Sequence, residues 1–328
     1  MGSIGRRDFM RVAGTAAVGA TAMMSSRGEA APANSAFSEA KRIPLTIDNP
    51  SALAVMPGGG ICVAGENAVA IMDAQGNETA RFGVKGRPGC VAVTADKKLL
   101  VGMRNHVEVI DTKDSAVASW QELGDRAYLT SVVVDDENVY VADAGNRVAL
   151  RFGYDGILRG RIGERDKERG LPGLVVPSPY FDVAIDPQGA LWVVNPGKHG
   201  LENYRPNGDL VSSWYRSGME PEAFCGCCNP IHIAFRSDNC LVTAEKGLSR
   251  VKVYSPDTTL LGVVAAEPPP PVAENKALFC NVEPPIMDLA VDQQDRILVL
   301  NKPERAIIVY EEKATHSRRR LPTVQPPT

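Results

Sequence analysis

One pattern of short β-rich segments recurs six times along this 328-residue chain, and it limits the possible folds more than any other feature. Each copy has a strand of small apolar residues, a turn, a second strand that ends in a polar residue, and then a third strand. In copies three, four and five the second strand ends at Asp143, Asn195 and Glu245, which are 52 (195 − 143) and 50 (245 − 195) residues apart. This spacing is close to the ~40–50 residues expected for one blade of a β-propeller.

These repeats predict an all-β fold in which six small antiparallel sheets surround a central channel. A four-stranded sheet alone leaves an apolar face open, and closing the ring buries every such face. An open parallel α/β sheet is the alternative, but the chain has no strongly helical period of useful length, which disfavours it. We therefore predict a six-bladed β-propeller with four-stranded blades.

The segment that joins the second and third strands makes this prediction more specific. Residues 141–148 read VADAGNRV, which resembles the NHL repeat, a pattern that runs roughly Val-Ala-Asp-x-x-Asn-x-Arg-Ile. The resemblance covers almost the whole chain after its N-terminal segment, strongly in copies three, five and six and weakly in the first two. It implies a six-bladed propeller of the NHL/TolB-like type.

The N-terminal segment has the features of an export signal. Arg6 and Arg7 are followed by Phe9, which resembles the twin-arginine signal, and residues 12–24 form a short, weakly apolar stretch. Residues 31–33 read APA, which fits a cleavage site between small residues. We predict a signal peptide over 1–33, a propeller over 34–312 and a disordered tail over 313–328, with a periplasmic or extracellular location. A generic basic segment of a Sec signal is the alternative interpretation of Arg6 and Arg7.

Charge and hydropathy exclude two classes of partner. The formal net charge is −3, whereas a general nucleic-acid binder needs a basic surface. The basic run at 318–320 lies in the proline-rich tail. No second apolar span follows the signal, so we expect no membrane span. The expected partner is an unknown protein or a small ligand, and the protein is expected to be a monomer.

Equivalent positions of the repeats should form rings around the channel. The first ring, at the start of the innermost strands, contains Ala52, Cys90, Ser131, Asp182, His232 and Asp288. Two carboxylates and an imidazole on consecutive blades are ligands suited to Zn²⁺, Mn²⁺ or Fe²⁺, so Asp182, His232 and Asp288 form a candidate divalent metal site. In the alternative interpretation the aspartates bind backbone amides and His232 is a satisfied core histidine.

A second ring lies at the end of the next strand. Its members are Gly65, Met103, Asp143, Asn195, Glu245 and Asn301. In three copies an arginine follows four or five residues later, and these arginines are Arg147, Arg250 and Arg305. Glu245 is the candidate catalytic base of this ring. The alternative is that these residues belong to the turn chemistry of the repeat.

The seven cysteines fall into two groups. Three lie in or beside strands, where a thiol behaves as a small buried apolar group, namely Cys62, Cys90 and Cys240. Four lie in connections between blades, namely Cys225, Cys227, Cys228 and Cys280. Such connections all emerge on one face of a propeller, so these four thiols should lie on the face that carries Asp182, His232 and Asp288.

Three interpretations of the connection cysteines remain open. One is a disulfide between Cys280 and one of the other three, as is common in exported proteins. Another is a thiolate-bound zinc, copper or iron–sulfur centre, although Cys-x-Cys-Cys is not the usual spacing of such sites. The third is a reactive thiol pair or a vicinal Cys227–Cys228 disulfide. Residues 226–230 also resemble a Gly-Cys-Cys-Asn-Pro loop of some exported NHL proteins of unknown activity.

Two functions follow from these features. The first is an exported binding or scaffold protein that holds a metal or a redox-active cysteine centre at the channel face and docks a partner. The alternative comes from resemblance: similar six-bladed propellers include lactonase-like hydrolases and lyases with one divalent metal in the channel. In that case Asp182, His232 and Asp288 would hold the metal and Glu245 would act as the base, although the usual lactonase ligand set of Glu, Asn and Asp cannot be aligned here.

Overall fold

Six four-stranded antiparallel sheets arranged in a ring make up the computed structural model, which describes residues 36–266 and 284–314. This is the predicted all-β six-bladed propeller. The signal prediction (1–33, with Arg6 and Arg7), Cys280 and almost all of the predicted tail lie outside the described residues. Within the described ranges no helix has the length and apolarity needed to cross a lipid bilayer.

The strands follow the blades in chain order. Blade 1 contains β2 (Ala52–Val55), β3 (Ile61–Gly65), β4 (Ala68–Met72) and β5 (Glu78–Gly83). Blade 2 contains β6 (Cys90–Val93), β7 (Leu99–Gly102), β8 (Val107–Ile110) and β9 (Val117–Ser119). Blade 3 contains β10 (Leu129–Val134), β11 (Val139–Asp143), β12 (Val148–Phe152) and β13 (Leu158–Ile162). Blade 4 contains β14 (Val183–Ile185), β15 (Leu191–Asn195), β16 (Gly200–Tyr204) and β17 (Leu210–Tyr215), with a short 3₁₀ helix at Pro196–Lys198. Blade 5 contains β18 (His232–Phe235), β19 (Leu241–Ala244), β20 (Arg250–Tyr254) and β21 (Leu260–Ala266). Blade 6 contains β22 (Ile286–Val291), β23 (Ile297–Asn301), β24 (Ala306–Glu312) and β1 (Phe37–Pro44).

In several blades an aspartate specifies the turn between the first two strands. In blade 4 the Asp186 carboxylate accepts the backbone N–H groups of Gln188 (3.0 Å) and Ala190 (2.9 Å). Gly189 in this turn has φ of 81°, a left-handed conformation that glycine adopts without strain. Asp292 plays the same part in blade 6, where its carboxylate accepts the N–H groups of residues 294 and 296. These are aspartate turns of the kind that short hairpins favour.

The ring is closed by a strand from the N-terminal side of the described chain. β1 pairs antiparallel with β24, with Phe37 opposite Glu312 and Ile43 opposite Ile307. Blade 6 therefore takes three strands from residues 286–312 and its outermost strand from residues 37–44. Hydrogen bonds between the two ends of the propeller hold the ring shut.

The core lies between neighbouring blades. One cluster joins Cys62 and Val69 of blade 1 to Val91 and Val101 of blade 2, and similar clusters occupy the other junctions. Cys62, Cys90 and Cys240 are buried, as predicted for strand cysteines. Burial raises the pKa of the Cys62 thiol to about 12, so this group is inert at neutral pH.

Removing apolar volume from the closure should destabilise the whole ring. Ile307 is fully buried where β24 contacts β1. We expect Ile307→Ala to lower the free energy of unfolding by about 2–5 kcal/mol because it removes buried methyl groups and leaves a cavity. Val117, which is 52% exposed on β9, is the matched control, and Val117→Ala should change stability by less than about 0.5 kcal/mol. Urea unfolding, monitored by tryptophan fluorescence, measures the free energy of unfolding of both variants. Equal losses of stability in the two variants would contradict the assignment of β24 to the closure of the ring.

Candidate functional site

The two aspartates of the first ring connect neighbouring blades through backbone amides. The Asp182 carboxylate accepts the N–H of Val183 at 2.8 Å and, from blade 5, the N–H of Ile233 at 2.7 Å. The Asp288 carboxylate does the same between blades 6 and 1, where the N–H groups of residues 289 and 53 both donate at 2.8 Å. Each side chain therefore joins the innermost strands of two adjacent blades.

His232 lies between these two carboxylates. Its Nδ1 is 3.7 Å from Asp182 Oδ2 and 3.5 Å from Asp288 Oδ1. Burial raises the pKa of Asp288 to about 6; the Asp182 charge adds to this effect and His232 opposes it. Burial alone would lower the pKa of His232, but its hydrogen bond to Asp182 and the charges of both carboxylates raise it. The ring thus brings together a carboxyl group and an imidazole whose pKa values are both raised above their usual ranges.

The geometry of this triad matches the amide-binding interpretation. Each carboxylate oxygen of Asp182 and Asp288 already accepts a backbone N–H. Within residues 36–266 and 284–314 no group of three or more His, Cys, Asp or Glu side chains is arranged to hold a metal ion. No described part of the chain therefore presents the ligand set of the metal hypothesis.

A cavity of about 190 Å³ opens above His232 and Asp288, and all six blades contribute to it. Its polar lining residues are Ser51, Arg87, Arg104, Tyr128, Thr130, Tyr180, His232 and Asp288. The apolar walls come from residues 88–89, 129, 179, 181 and 287. The cavity therefore lies on the axis of the ring, on the face where the connections between blades emerge.

The exposed polar side chains of the cavity are ones that the repeat alignment did not single out. Arg87 and Arg104 are exposed and both belong to blade 2, and Tyr128 is 43% exposed. Arg87, Tyr128 and Tyr180 lie two or three residues before the ring positions of their blades. An alignment extended backwards by three residues would have found them.

Side chains of the second ring accept hydrogen bonds from backbone N–H groups in the turns and connections. Asp143 accepts the N–H groups of Tyr128 and Asn146 at 3.0 and 3.1 Å, and the Asn195 side-chain oxygen accepts the N–H of Val175 at 3.0 Å. Asn301 accepts the N–H of residue 304 at 3.1 Å. These contacts match the turn-chemistry interpretation of the ring.

Glu245 is fully buried in an ion cluster and does not line the cavity. Its carboxylate is 2.7 Å from Arg250 Nε and 3.3 Å from Lys252 Nζ. Burial lowers the pKa of Lys252 to about 8, against the opposing effect of Glu245. The structure therefore places the candidate base beneath the connection that carries Cys225, away from the triad that it was expected to assist.

Three of the four connection cysteines belong to the described residues. Cys225, Cys227 and Cys228 lie in the connection between β17 and β18, and Ser178, which contacts the Cys228 sulfur, directly precedes the cavity-lining residues 179–181. Cys227 is disulfide-bonded, and Cys225 and Cys228 are free and buried. The Cys227 and Cys228 sulfurs are 3.1 Å apart without a bond between them, so the vicinal disulfide is not formed. The fourth connection cysteine, Cys280, lies outside the described residues.

Comparison with solved structures supports the fold. A streptogramin B lyase superposes with a TM-score of 0.58 at 10% identity, over 84% of this chain and 98% of that one. Virginiamycin B lyase from Staphylococcus aureus gives 0.57 at 12% identity, over 84% and 99%. A protein of unknown function from Bacteroides thetaiotaomicron gives 0.57 at 14% identity, over 84% and 73%. No protein-family model and no curated protein sequence matches the chain. At these identities the likeness establishes a six-bladed propeller similar in architecture to the lyases.

The raised pKa of Asp288 gives stability a specific pH dependence. A carboxyl group whose pKa rises from 3.8 to about 6 on folding stabilises the protein below pH 4, and this contribution is lost as pH rises to about 6. We expect the wild type to lose stability relative to Asp288→Asn across this interval, on top of a constant offset from the altered hydrogen bonds. Urea unfolding at pH 4 to 7 measures the difference. The exposed Asp155→Asn is the control, and a flat difference for Asp288→Asn would contradict the assignment.

Proposed function

We propose that this protein is an exported binding protein that holds a small anionic ligand in the channel cavity. The observation that carries the proposal is the cavity itself, which all six blades build and which combines Arg87 and Arg104 with a buried His232–Asp288 pair. Rigid rings of side chains at a channel mouth are places where propellers present ligand-binding groups.

The two arginines favour an anionic group on the ligand. Arg87 precedes β6 and Arg104 follows β7, so both guanidinium groups belong to blade 2 and lie on one side of the cavity. Guanidinium groups present several N–H donors in a plane, and they bind carboxylate and phosphate oxygens more strongly than neutral donors do. A carboxylate or phosphate is therefore the ligand group that this side of the cavity fits.

The opposite side of the cavity favours a second polar group on the same ligand. His232 and Asp288 supply a donor and an acceptor from blades 5 and 6. Tyr128 and Tyr180 add aromatic surface between the two sides. A volume of about 190 Å³ lies below the ~300–1,000 Å³ of sites for drug-sized ligands. The ligand class is therefore a small organic acid or phosphate that carries a hydroxyl or amino group.

Several sequence predictions belong to this proposal. The location is periplasmic or extracellular, reached by the twin-arginine route, and the repeats are of the NHL type with docking of a protein partner as an added role. The likeness to streptogramin B lyases supports the propeller scaffold. The metal-dependent hydrolase or lyase remains the alternative function; its triad oxygens are engaged by backbone amides, so ligand binding is the role that the geometry favours.

Export depends on the arginine pair if the twin-arginine prediction is correct. We expect the full-length protein to reach the periplasm of a bacterium that has this translocase, and we expect Arg6→Lys combined with Arg7→Lys to keep it in the cytoplasm. Cell fractionation and immunoblotting measure both. Arg11→Lys, which lies outside the pair, is the control. Continued export of the double variant would show that the segment is a Sec signal.

Ligand binding should depend on Arg104. We expect citrate or inorganic phosphate to bind the exported protein, and Arg104→Gln to weaken that binding about tenfold because it removes charge-assisted hydrogen bonds. Isothermal titration calorimetry at low ionic strength provides the affinities.

Arg159→Gln is the matched control for the loss of one positive charge. Arg159 lies on β13, pairs with Asp155 in the preceding turn, and does not line the cavity. Equal weakening by both substitutions would show that the probe senses only net charge. Absence of binding by both probes would count against an anionic ligand.

A further inference from the structure

The connection that carries the cysteines is held rigidly against blade 5. The Asn229 side-chain amide donates to the carbonyl oxygens of Cys225 (2.7 Å) and Lys246 (3.0 Å). Its side-chain oxygen accepts the backbone N–H of Lys246 at 2.9 Å. Asn229 is only 1% exposed, so these hydrogen bonds are protected from water. The positions of the cysteine sulfurs are therefore set by the fold.

Two adjacent cysteines are in different chemical states within this rigid connection. Cys227 is exposed and disulfide-bonded, whereas Cys228 is a free thiol with no solvent exposure. Their sulfurs are 3.1 Å apart. Exchange begins when a thiolate approaches a disulfide sulfur, and the Cys228 sulfur already occupies that position.

A chain of hydrogen-bond donors ends at the Cys228 sulfur. The Lys246 ammonium donates to Ser178 Oγ at 3.1 Å, and Ser178 Oγ donates to Cys228 Sγ at 3.1 Å. Lys246 is only 4% exposed, and its Nζ also lies 4.7 Å from the centre of the Tyr180 ring. The Ser178 hydroxyl, which is itself held by the buried Lys246 ammonium, therefore fixes the position of the Cys228 sulfur beside Cys227.

We propose that Cys228 is a resolving thiol and that Cys227, Cys228, Ser178 and Lys246 form a site for thiol–disulfide exchange. The Cys228 thiolate attacks Cys227 Sγ, which forms a Cys227–Cys228 bond and breaks the existing disulfide of Cys227. The released partner sulfur leaves as a thiolate and takes up the proton that Cys228 lost. The step is an isomerisation, so it consumes no oxidant or reductant.

The same arrangement lets Cys228 resolve a mixed disulfide between Cys227 and an external thiol. An incoming thiolate reaches the exposed Cys227 sulfur and displaces its disulfide partner, and Cys228 then attacks Cys227 and expels the incoming thiol. The vicinal product is strained, so it is readily reduced. Small thiols and cysteine-bearing peptides are the substrates that this site accepts. The exchange requires no ligand in the channel cavity.

Trapping the mixed disulfide tests the proposal. The full-length, oxidised, exported protein is mixed with reduced glutathione, quenched with acid, alkylated and mapped by mass spectrometry. We expect the wild type to show little glutathione on Cys227, because the Cys228 thiol expels the adduct. Cys228→Ser should accumulate severalfold more glutathione on Cys227, because no thiol remains beside it to expel the adduct.

Two further variants separate exchange from a structural role. Cys225→Ser removes a free, buried thiol of the same connection and should behave as the wild type. Ser178→Ala should lengthen the lifetime of the glutathione adduct on Cys227, because Ser178 is a positioning residue for the Cys228 sulfur. The thermal unfolding temperature of this variant should stay at the wild-type value. Equal adduct levels in wild type and Cys228→Ser, or glutathione only on other cysteines, would overturn the proposal.

Discussion

The pairing of β1 with β24 is the interaction on which the rest of the structure depends. Neighbouring blades meet through side-chain packing and through polar contacts, both between innermost strands and between turns, as where the Ser237 N–H donates to Asp295. The ring has a seam where its first and last described strands meet. Seven paired positions, from Phe37–Glu312 to Pro44–Ala306, close that seam with an antiparallel ladder that has one irregularity between Glu39 and Lys41. Ring closure in turn keeps the innermost strands at a fixed radius, and only at that radius do six separate connections converge on one cavity.

The polar residues of the first ring show how the fold and the site compete for the same groups. A carboxylate on an innermost strand meets two backbone N–H groups, its own and that of the next blade, and Asp182 and Asp288 accept both. Buried amides without partners are costly, so these hydrogen bonds hold neighbouring blades together. The same contacts occupy the oxygens that a metal would need. His232 stays between the carboxylates, and His232 and Asp288 are the two members of the first ring that line the cavity.

How much of the fold and of the site could be predicted from the sequence depends on which interactions recur from blade to blade. The fold was predictable because strand alternation recurs in every blade and aspartate turns such as that of Asp186 recur in several of them. The placement of Cys225, Cys227 and Cys228 in the connection between β17 and β18 was predictable for the same reason. The closing strand was not predicted because β1 has no counterpart in the repeat order. Arg87 was missed because the alignment covered the strands and not the residues just before them. Arg104 and Ser178 were missed because they lie in parts of the connections that vary from blade to blade. The states of Cys227 and Cys228 depend on three-dimensional contacts that spacing cannot reveal.

The channel cavity and the proposed thiol–disulfide exchange site meet at residues 178–181. Ser178 contacts the Cys228 sulfur, Tyr180 lines the cavity, and the Lys246 ammonium contacts both the Ser178 hydroxyl and the Tyr180 ring. Tyr180 therefore contacts the channel cavity and also the cation that holds the Ser178 hydroxyl against the Cys228 sulfur. The backbone of this lysine is fixed by the Asn229 side chain. One buried lysine thus lies between the cysteine site and a residue of the cavity wall, and its position depends on the same connection that carries the cysteines.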